Sequence, residues 1–302
     1  MSFEEPAILG ILNVTEDSFY DGGRYRTDEQ IVAHAKNLLA QGADIIDIGV
    51  VSSRPGAQLL SPEAEAQRLT PVVALLRREL PAETLLSVDT CYALPATKAV
   101  EAGADIINDI SGGQFDCLVD GGNTVNQSRM FAAVAEMQVP YILMHTRGLP
   151  ATMQSPENTC YDDIITDLTR YFSEQLDTLL RLGMKDIIFD PGFGFAKTTE
   201  QNYELLYRLD ELVRLFPERP MLVALSNKSM IKKRIEEYPD RPKEISSWQS
   251  DNIGNRVLKD FHLPATELGT MALNAIALDR GASLLRVHTP YPSRIAVALR
   301  QQ

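Results

Sequence analysis

Basic residues are scarce in this 302-residue chain: 29 lysines and arginines face 41 aspartates and glutamates, leaving a net charge of -12 at pH 7. An acidic surface repels phosphate backbones and anionic headgroups, so nucleic acid and membrane are excluded as main partners. A small anionic substrate stays possible if the few cations gather in one pocket. Cysteine is scarce too: Cys91, Cys117 and Cys160 are an odd set without C-x-x-C spacing. That excludes a disulfide framework and a zinc site of that type, and it suits a reducing compartment. Met1–Pro6 is acidic where a secretory leader would be basic, and no long apolar run follows. A cytoplasmic location is the expectation. Hydrophobic content of 44% and charged content of 23% are those of a globular protein, and the length suffices for one large core.

What is present is a repeat. Gly42-Ala43-Asp44-Ile45-Ile46-Asp47 is echoed by Gly103-Ala104-Asp105-Ile106-Ile107-Asn108, by Gly183 to Asp190 and by Gly281 to His288. Each glycine follows an amphipathic stretch, as a helix C-cap does, and each apolar run after it reads as a buried parallel strand. Further strands are expected at Ala7–Leu12, Leu85–Val88, Tyr141–Met144 and Met221–Leu225. Helical patterns separate them, among them Asp28–Ala40, Pro62–Leu80, Asp162–Leu182, Glu200–Leu215 and Thr266–Leu278. Eight strand–helix units without a composition break predict an α/β protein, a (βα)8 barrel forming one domain over residues 1–302. An open doubly wound sheet is the alternative, because periodicity does not reveal closure.

In such a barrel the chemistry sits at the C-terminal ends of the strands, and here those ends are polar. Asp89, Asn108 and Asp190 are acceptors without a histidine among them, which suits a neutral, donor-rich ligand edge better than zinc. Arg54, Lys228, Arg286 and His288 form an opposing set fit for phosphate or carboxylate. The mouth is thus expected to have an acceptor side and an anion side. Long segments at Val14–Thr27 and Val50–Ser61 are candidate lids, Ile235–His262 reads as an insertion after the seventh strand, and Gln114–Arg129 as a flexible excursion. Gly192-Phe193-Gly194-Phe195-Ala196-Lys197-Thr198 fails the phosphate-loop pattern, since Ala196 precedes the lysine. Its glycines instead let backbone pass close to a flat ligand that Phe195 covers. No nucleophile–base pair stands out, so covalent catalysis has no support.

Taken in order, the motifs resemble a known family. They are Ile8 to Phe19, Ser52-Ser53-Arg54-Pro55-Gly56, Ser87-Val88-Asp89-Thr90, Ile106 to Gly113, Leu143-Met144-His145, Asp190 to Phe195, Leu225 to Ser229 and Arg286-Val287-His288. From about Ala7 onward the chain resembles the dihydropteroate synthase family of the bacterial folate pathway. The resemblance implies a (βα)8 barrel, in agreement with the repeat. It implies condensation of p-aminobenzoate with 6-hydroxymethyl-7,8-dihydropterin diphosphate, with Mg²⁺, in a homodimer. Asp89, Asn108, Asp190 and Lys228 would hold the pterin, with Ile110, Met144 and Phe195 around its ring. Asn13 would serve Mg²⁺ and diphosphate, and Arg286 and His288 would grip the diphosphate. Ser53, Arg54 and Pro55 would lie in a loop that orders over diphosphate and helps form the p-aminobenzoate pocket with Phe193, Lys228 and Ser229.

The chain departs from the family pattern where Val50-Val51 replaces Gly-Glu, Asn227 replaces an arginine and Thr289 an aspartate. Two other readings therefore stand beside an active synthase. One is a non-catalytic paralogue that binds pterin. The other is a pterin-dependent methyltransferase, which would have little use for the diphosphate grip.

Overall fold

The computed structural model describes residues 5–14, 27–51, 60–120, 123–237 and 265–300. Residues 15–26 and 52–59 of the two expected lids, with Ser53, Arg54 and Pro55, lie outside these residues, as does 238–262 of the expected insertion. In chain order the first strands are β1 (Ala7–Asn13), β2 (Ile45–Gly49), β3 (Leu85–Asp89) and β4 (Ile106–Asp109). A small antiparallel hairpin follows, β5 (Cys117–Asp120) with β6 (Asn123–Ser128). The remaining strands are β7 (Tyr141–Met144), β8 (Ile187–Asp190), β9 (Leu222–Val223) and β10 (Leu284–Val287). The hairpin corrects the expectation of a flexible excursion at Gln114–Arg129: polar composition there conceals a paired ribbon.

Eight parallel strands make one sheet in the order β8-β7-β4-β3-β2-β1-β10-β9. Its outer edges meet where Phe189 bridges Met221 in parallel, so the sheet closes and the open doubly wound alternative falls. Strand parity divides the core. Inward-facing Leu9, Ile45, Ile106, Ile142, Ile188, Leu222 and Leu284 fill the barrel floor. Their outward neighbours, such as Ile8, Ile46, Ile107, Leu143 and Leu285, pack under the helices. Burial on both faces is why these strands read as unbroken apolar runs.

The helices are α1 (Asp28–Ala40), α2 (Pro62–Glu79), α3 (Ala93–Glu101), α4 (Arg129–Met137), α5 (Ile164–Arg181), α6 (Thr199–Tyr207), α7 (Leu209–Leu215), α8 (Ser229–Glu237), α9 (Ala265–Asp279) and α10 (Pro290–Arg300). The single helix expected over Glu200–Leu215 is two, broken at Arg208, whose guanidinium pairs with Asp163, Glu204 and Glu211. Gly42, Gly103, Gly183 and Gly281 all hold positive φ just past a helix end, as the repeat required. The Gly-Ala-Asp copies also share a purpose. Asp44 accepts from the backbone of Ile8 (2.8 Å) and Asp105 from that of Leu86 (2.8 Å), each one strand over. Arg294 and Arg77 close the two junctions, bonding the glycine carbonyl and the aspartate together. The repeat pins adjacent strands at the bottom of the barrel and so sets the stagger that delivers polar residues to the top.

Candidate active site

Two residues above the apolar floor, the same inward parity brings Asp47, Ser87, Asn108, Met144, Asp190 and Arg286 into one tier. Two further along come Asn13, Gly49, Asp89, Ile110, Ser226 and His288. The site residues expected at strand ends therefore share one mouth because period-2 alternation keeps them on the inner face.

Arg286 organises this mouth. Its Nε donates to Asp47 Oδ2 (2.6 Å) and its Nη2 to Asp89 Oδ2 (2.8 Å). Asp47 is fully buried, and it also accepts from Ser87 Oγ (2.6 Å) and Asn108 Nδ2 (3.2 Å). Burial alone would depress the Arg286 guanidinium, but Asp47 and Asp89 more than offset that and hold it charged. Burial pushes Asp89 up to about 7; Arg286 pulls the other way, and repulsion from Asp47 adds to the rise. The expected separation into an acceptor side and an anion side is corrected here: Arg286 is bonded to the acceptor Asp89 and to Asp47 beside it. The amide of Asn108 is oriented by Asp47, and among the described residues its buried Oδ1 finds no hydrogen-bond donor. A buried carbonyl oxygen without a donor is costly, so a ligand N–H is the natural partner.

Asp190 ends β8, and its Oδ1 accepts from the Gly192 backbone (2.8 Å). Burial raises its carboxyl above the usual range, against the Gly192 N–H and the charges of Lys228, Arg286 and Lys197. Gly192 has φ of +70°, and a Cβ there would stand 2.0 Å from the His145 carbonyl oxygen, so only glycine makes this turn. The turn brings Phe195 against Cys91, Ile110, Met144 and Phe115, an apolar patch beside the acceptors. Lys228 Nζ lies 4.4 Å from the Phe195 ring centroid. Burial lowers the Lys228 amine to about 8, Asp190 and Asp89 opposing the shift and Arg286 adding to it. The apolar patch thus stands beside the Asp190 turn, with the Lys228 amine over its Phe195 ring.

Ser226 Oγ lies 3.0 Å from His288 Nδ1 and accepts from the His288 backbone (3.2 Å). Asn13 stands over side-chain-free Gly49, where a Cβ would be 3.3 Å from Asn13 Oδ1 and 3.7 Å from Asp89 Cβ. Among the described residues no cluster of three His, Cys, Asp or Glu side chains could cage a metal. Ser229 opens α8 directly after Lys228. Phe193 is corrected: it is fully buried within the core under the helices and presents no surface to p-aminobenzoate. Alternation explains this, since Phe193 and Phe195 point to opposite sides of the turn.

Two departures from the family pattern meet at one side chain. Asn227, at φ of +57°, donates through Nδ2 to Glu267 Oε1 (2.8 Å), while Thr289 also hydrogen-bonds buried Glu267. Asparagine tolerates the left-handed conformation better than most residues. Val51 packs against the outer core. Asp47 and Ser87 were not foreseen as site residues. The signal for Asp47 was in the repeat, which aligns it with Asn108.

Comparison with known proteins agrees with this geometry. The profile of the family described as pterin binding enzyme matches residues 9–288. The dihydropteroate synthase of Synechocystis sp. is 40% identical over 283 residues, covering 93% of this chain and 84% of that protein. Among solved structures, the Yersinia pestis dihydropteroate synthase with a sulfonamide drug complex superposes with a TM-score of 0.79 at 34% identity, covering 99% and 94% of the two chains. The Xanthomonas albilineans dihydropteroate synthase in complex with 7,8-dihydropteroate gives a TM-score of 0.74 at 30% identity, covering 100% and 94%. Barrel, polar mouth and relatives coincide: the chain belongs to the pterin binding enzyme family, among its dihydropteroate synthases.

Proposed function

We propose that this enzyme joins p-aminobenzoate to 6-hydroxymethyl-7,8-dihydropterin diphosphate, forming 7,8-dihydropteroate and diphosphate. The observation that carries the reading is the unpaired Asn108 Oδ1 in the same inward tier as the Asp190 carboxylate, above a flat apolar patch. A pterin offers adjacent ring N–H and amino donors, which Asp190 accepts side by side, while Asn108 and Asp89 take further N–H groups. Met144, Ile110 and Phe195 cover the ring, and Lys228 stands at its edge.

Departure of diphosphate is the step that needs help, and charge stabilisation supplies it. Arg286, His288 and Lys228 are the described cations and polar donors for that role, and Arg54 is the expected addition. Asn13 would hold Mg²⁺: its amide oxygen and the Asp89 carboxylate both stand over Gly49, and so small an oxygen set suits an ion that keeps waters and arrives on substrate phosphates. When bound, Mg²⁺ neutralises part of the leaving diphosphate's charge. The electron-rich pterin supports positive charge at its exocyclic carbon, and the neutral aromatic amine then attacks, so no strong base is required. Ser53, Pro55 and Ser229 are assigned to the p-aminobenzoate pocket. A second copy of the chain is the proposed partner, supported by Tyr291, Ile295 and Leu299, an exposed apolar stripe at i, i+4, i+8 on α10. The cytoplasm is the proposed location, as the free cysteines suggest.

The test is the purified protein with both substrates and Mg²⁺, monitored for diphosphate and dihydropteroate. Turnover is expected. Pterin binding without turnover would favour the non-catalytic reading that Val51, Asn227 and Thr289 motivated.

A further inference from the structure

Lys197 is only 3% exposed, yet among the described residues no carboxylate forms an ion pair with it. Its ammonium has three donors and finds three acceptors: Gly192 O (3.1 Å), Phe195 O (3.1 Å) and His145 Nδ1 (3.0 Å). The third bond requires a neutral His145 imidazole with its proton on Nε2. Burial, with the charges of Lys197 and Arg147, holds that ring well below its usual pKa and so keeps it neutral. Burial likewise lowers Lys197 to about 7, with the Asp190 charge opposing and Arg147 and Lys228 adding to the shift. A cation buried this deeply without a counter-ion is costly, and two loop carbonyls and one imidazole are what it receives in return.

The three acceptors belong to the two strand ends that carry the ring-facing residues. Gly192 and Phe195 bracket the turn after β8, and His145 follows Met144 at the end of β7. The His145 backbone donates to Asp190 O (2.9 Å), and Tyr171, edge-on to the His145 ring, donates to Met144 O (2.9 Å). On the far side, Tyr161 Oη donates to the carbonyl of Ala196, which sits at φ of +49°, a conformation L-residues seldom adopt. Asn202 accepts from the Gly194 backbone (2.7 Å) and donates to the Lys197 carbonyl (3.2 Å). Lys197 therefore stands at the centre of the bonds that shape the turn, behind the surface that a ring would meet.

We propose that Lys197 is a positioning residue for pterin recognition: its ammonium draws the Gly192 and Phe195 carbonyls onto His145 and so holds Asp190, Met144 and Phe195 at the spacing a flat bicyclic ring requires. The proposal rests on the pterin-site reading above. Lys197 touches no substrate. It acts through the loop, so its removal changes affinity for the pterin substrate more than the chemistry that follows.

The experiment compares wild type, Lys197→Met, Lys197→Gln and Asp190→Asn in the full-length enzyme. It measures Tm, KM for the pterin diphosphate and for p-aminobenzoate, and kcat. Lys197→Met is expected to raise the pterin KM at least about tenfold, with kcat and the p-aminobenzoate KM within about threefold. Lys197→Gln, which retains two N–H donors, is expected to recover part of that loss. Amide exchange at Gly194 and Phe195 should quicken in either variant while the floor strands keep their protection. An unchanged pterin KM in Lys197→Met, alongside a weakened Asp190→Asn, overturns the proposal and leaves the pterin site standing. An unchanged Asp190→Asn overturns the site reading itself. Equal losses in every kinetic constant, or failure of both lysine variants to fold, would make Lys197 a purely structural residue and refute its selective role. If Lys197→Met alone fails to fold, the Lys197→Gln constants decide.

Discussion

Asp190→Asn isolates recognition from folding. The Gly192 N–H, 2.8 Å from Oδ1, must face an acceptor. An asparagine therefore turns its carbonyl oxygen to Gly192 and its NH₂ toward the mouth. Where the carboxylate offered a charged acceptor, the variant offers a donor to ligand groups that are themselves donors. Loss of a hydrogen bond to a charged group is worth about 1.5–3 kcal/mol, and the opposed donors bring the total to about 2–4 kcal/mol. At about 1.4 kcal/mol per factor of ten, the pterin Kd should rise about 30- to 700-fold. Stability should not follow. Burial already disfavours the ionised carboxylate, so a neutral amide of equal size removes that penalty, and Tm should hold or rise. Calorimetric titration with 6-hydroxymethyl-7,8-dihydropterin diphosphate, beside a melting curve, reads both quantities. A Kd within threefold of wild type in a fully folded variant would refute the assignment of Asp190 to the pterin.

Glu65, on α2, provides a pH test that reads stability rather than turnover. It is 3% exposed, Oε1 has no hydrogen-bond partner among the described residues, and burial, with Asp89 and Asp109 nearby, pushes it up to about 7 against a Thr90 hydrogen bond. Between its ordinary value and about 7 the folded state keeps a proton the unfolded chain has released, so stability from this group falls as pH rises through that window. Glu65→Gln should thus stabilise by up to about 3 kcal/mol at pH 8 and by little at pH 4, measured by urea unfolding at both; an equal gain at both would contradict the linkage. Gly192→Ala places a methyl 2.0 Å from the His145 carbonyl at a positive φ, and strain plus overpacking should cost about 2–5 kcal/mol. An unshifted urea midpoint would show that the turn relaxes.

Local features were legible because their causes are local. Helix α1 runs over Asp28–Ala40 as its periodicity predicts, and Thr27 caps it. The glycines of the repeat have the positive φ their place past helix ends demands. Asp89, Asn108 and Asp190 were readable as residues of the barrel mouth because each stands where an apolar run stops. Phe193 was misplaced because the turn after Asp190 sends successive side chains to opposite sides, which composition does not reveal. That Arg286, read as an anion grip, is also bonded to Asp47 and Asp89 was not legible, because those partners lie 239 and 197 residues away. The hairpin at Cys117–Ser128 was missed because polar, glycine-containing ribbons lack the apolar alternation that marks a strand.

Periodicity, capping residues and the repeated Gly-Ala-Asp unit were enough to specify the eight barrel strands, most of the helices between them, their order and the polar ends of the strands. These depend on φ/ψ preferences and on burial over a few residues, so the chain carries them in its local pattern. Closure was settled in three dimensions, by Phe189 meeting Met221 across edges that no local signal relates. So was the electrostatic character of the mouth. Whether a carboxylate is a ligand for substrate or for Arg286, and whether Lys197 is a surface charge or a buried clamp, depends on which distant groups burial brings within hydrogen-bond reach. Those interactions act over about 3 Å of space rather than along the chain, and folding alone brings such groups together.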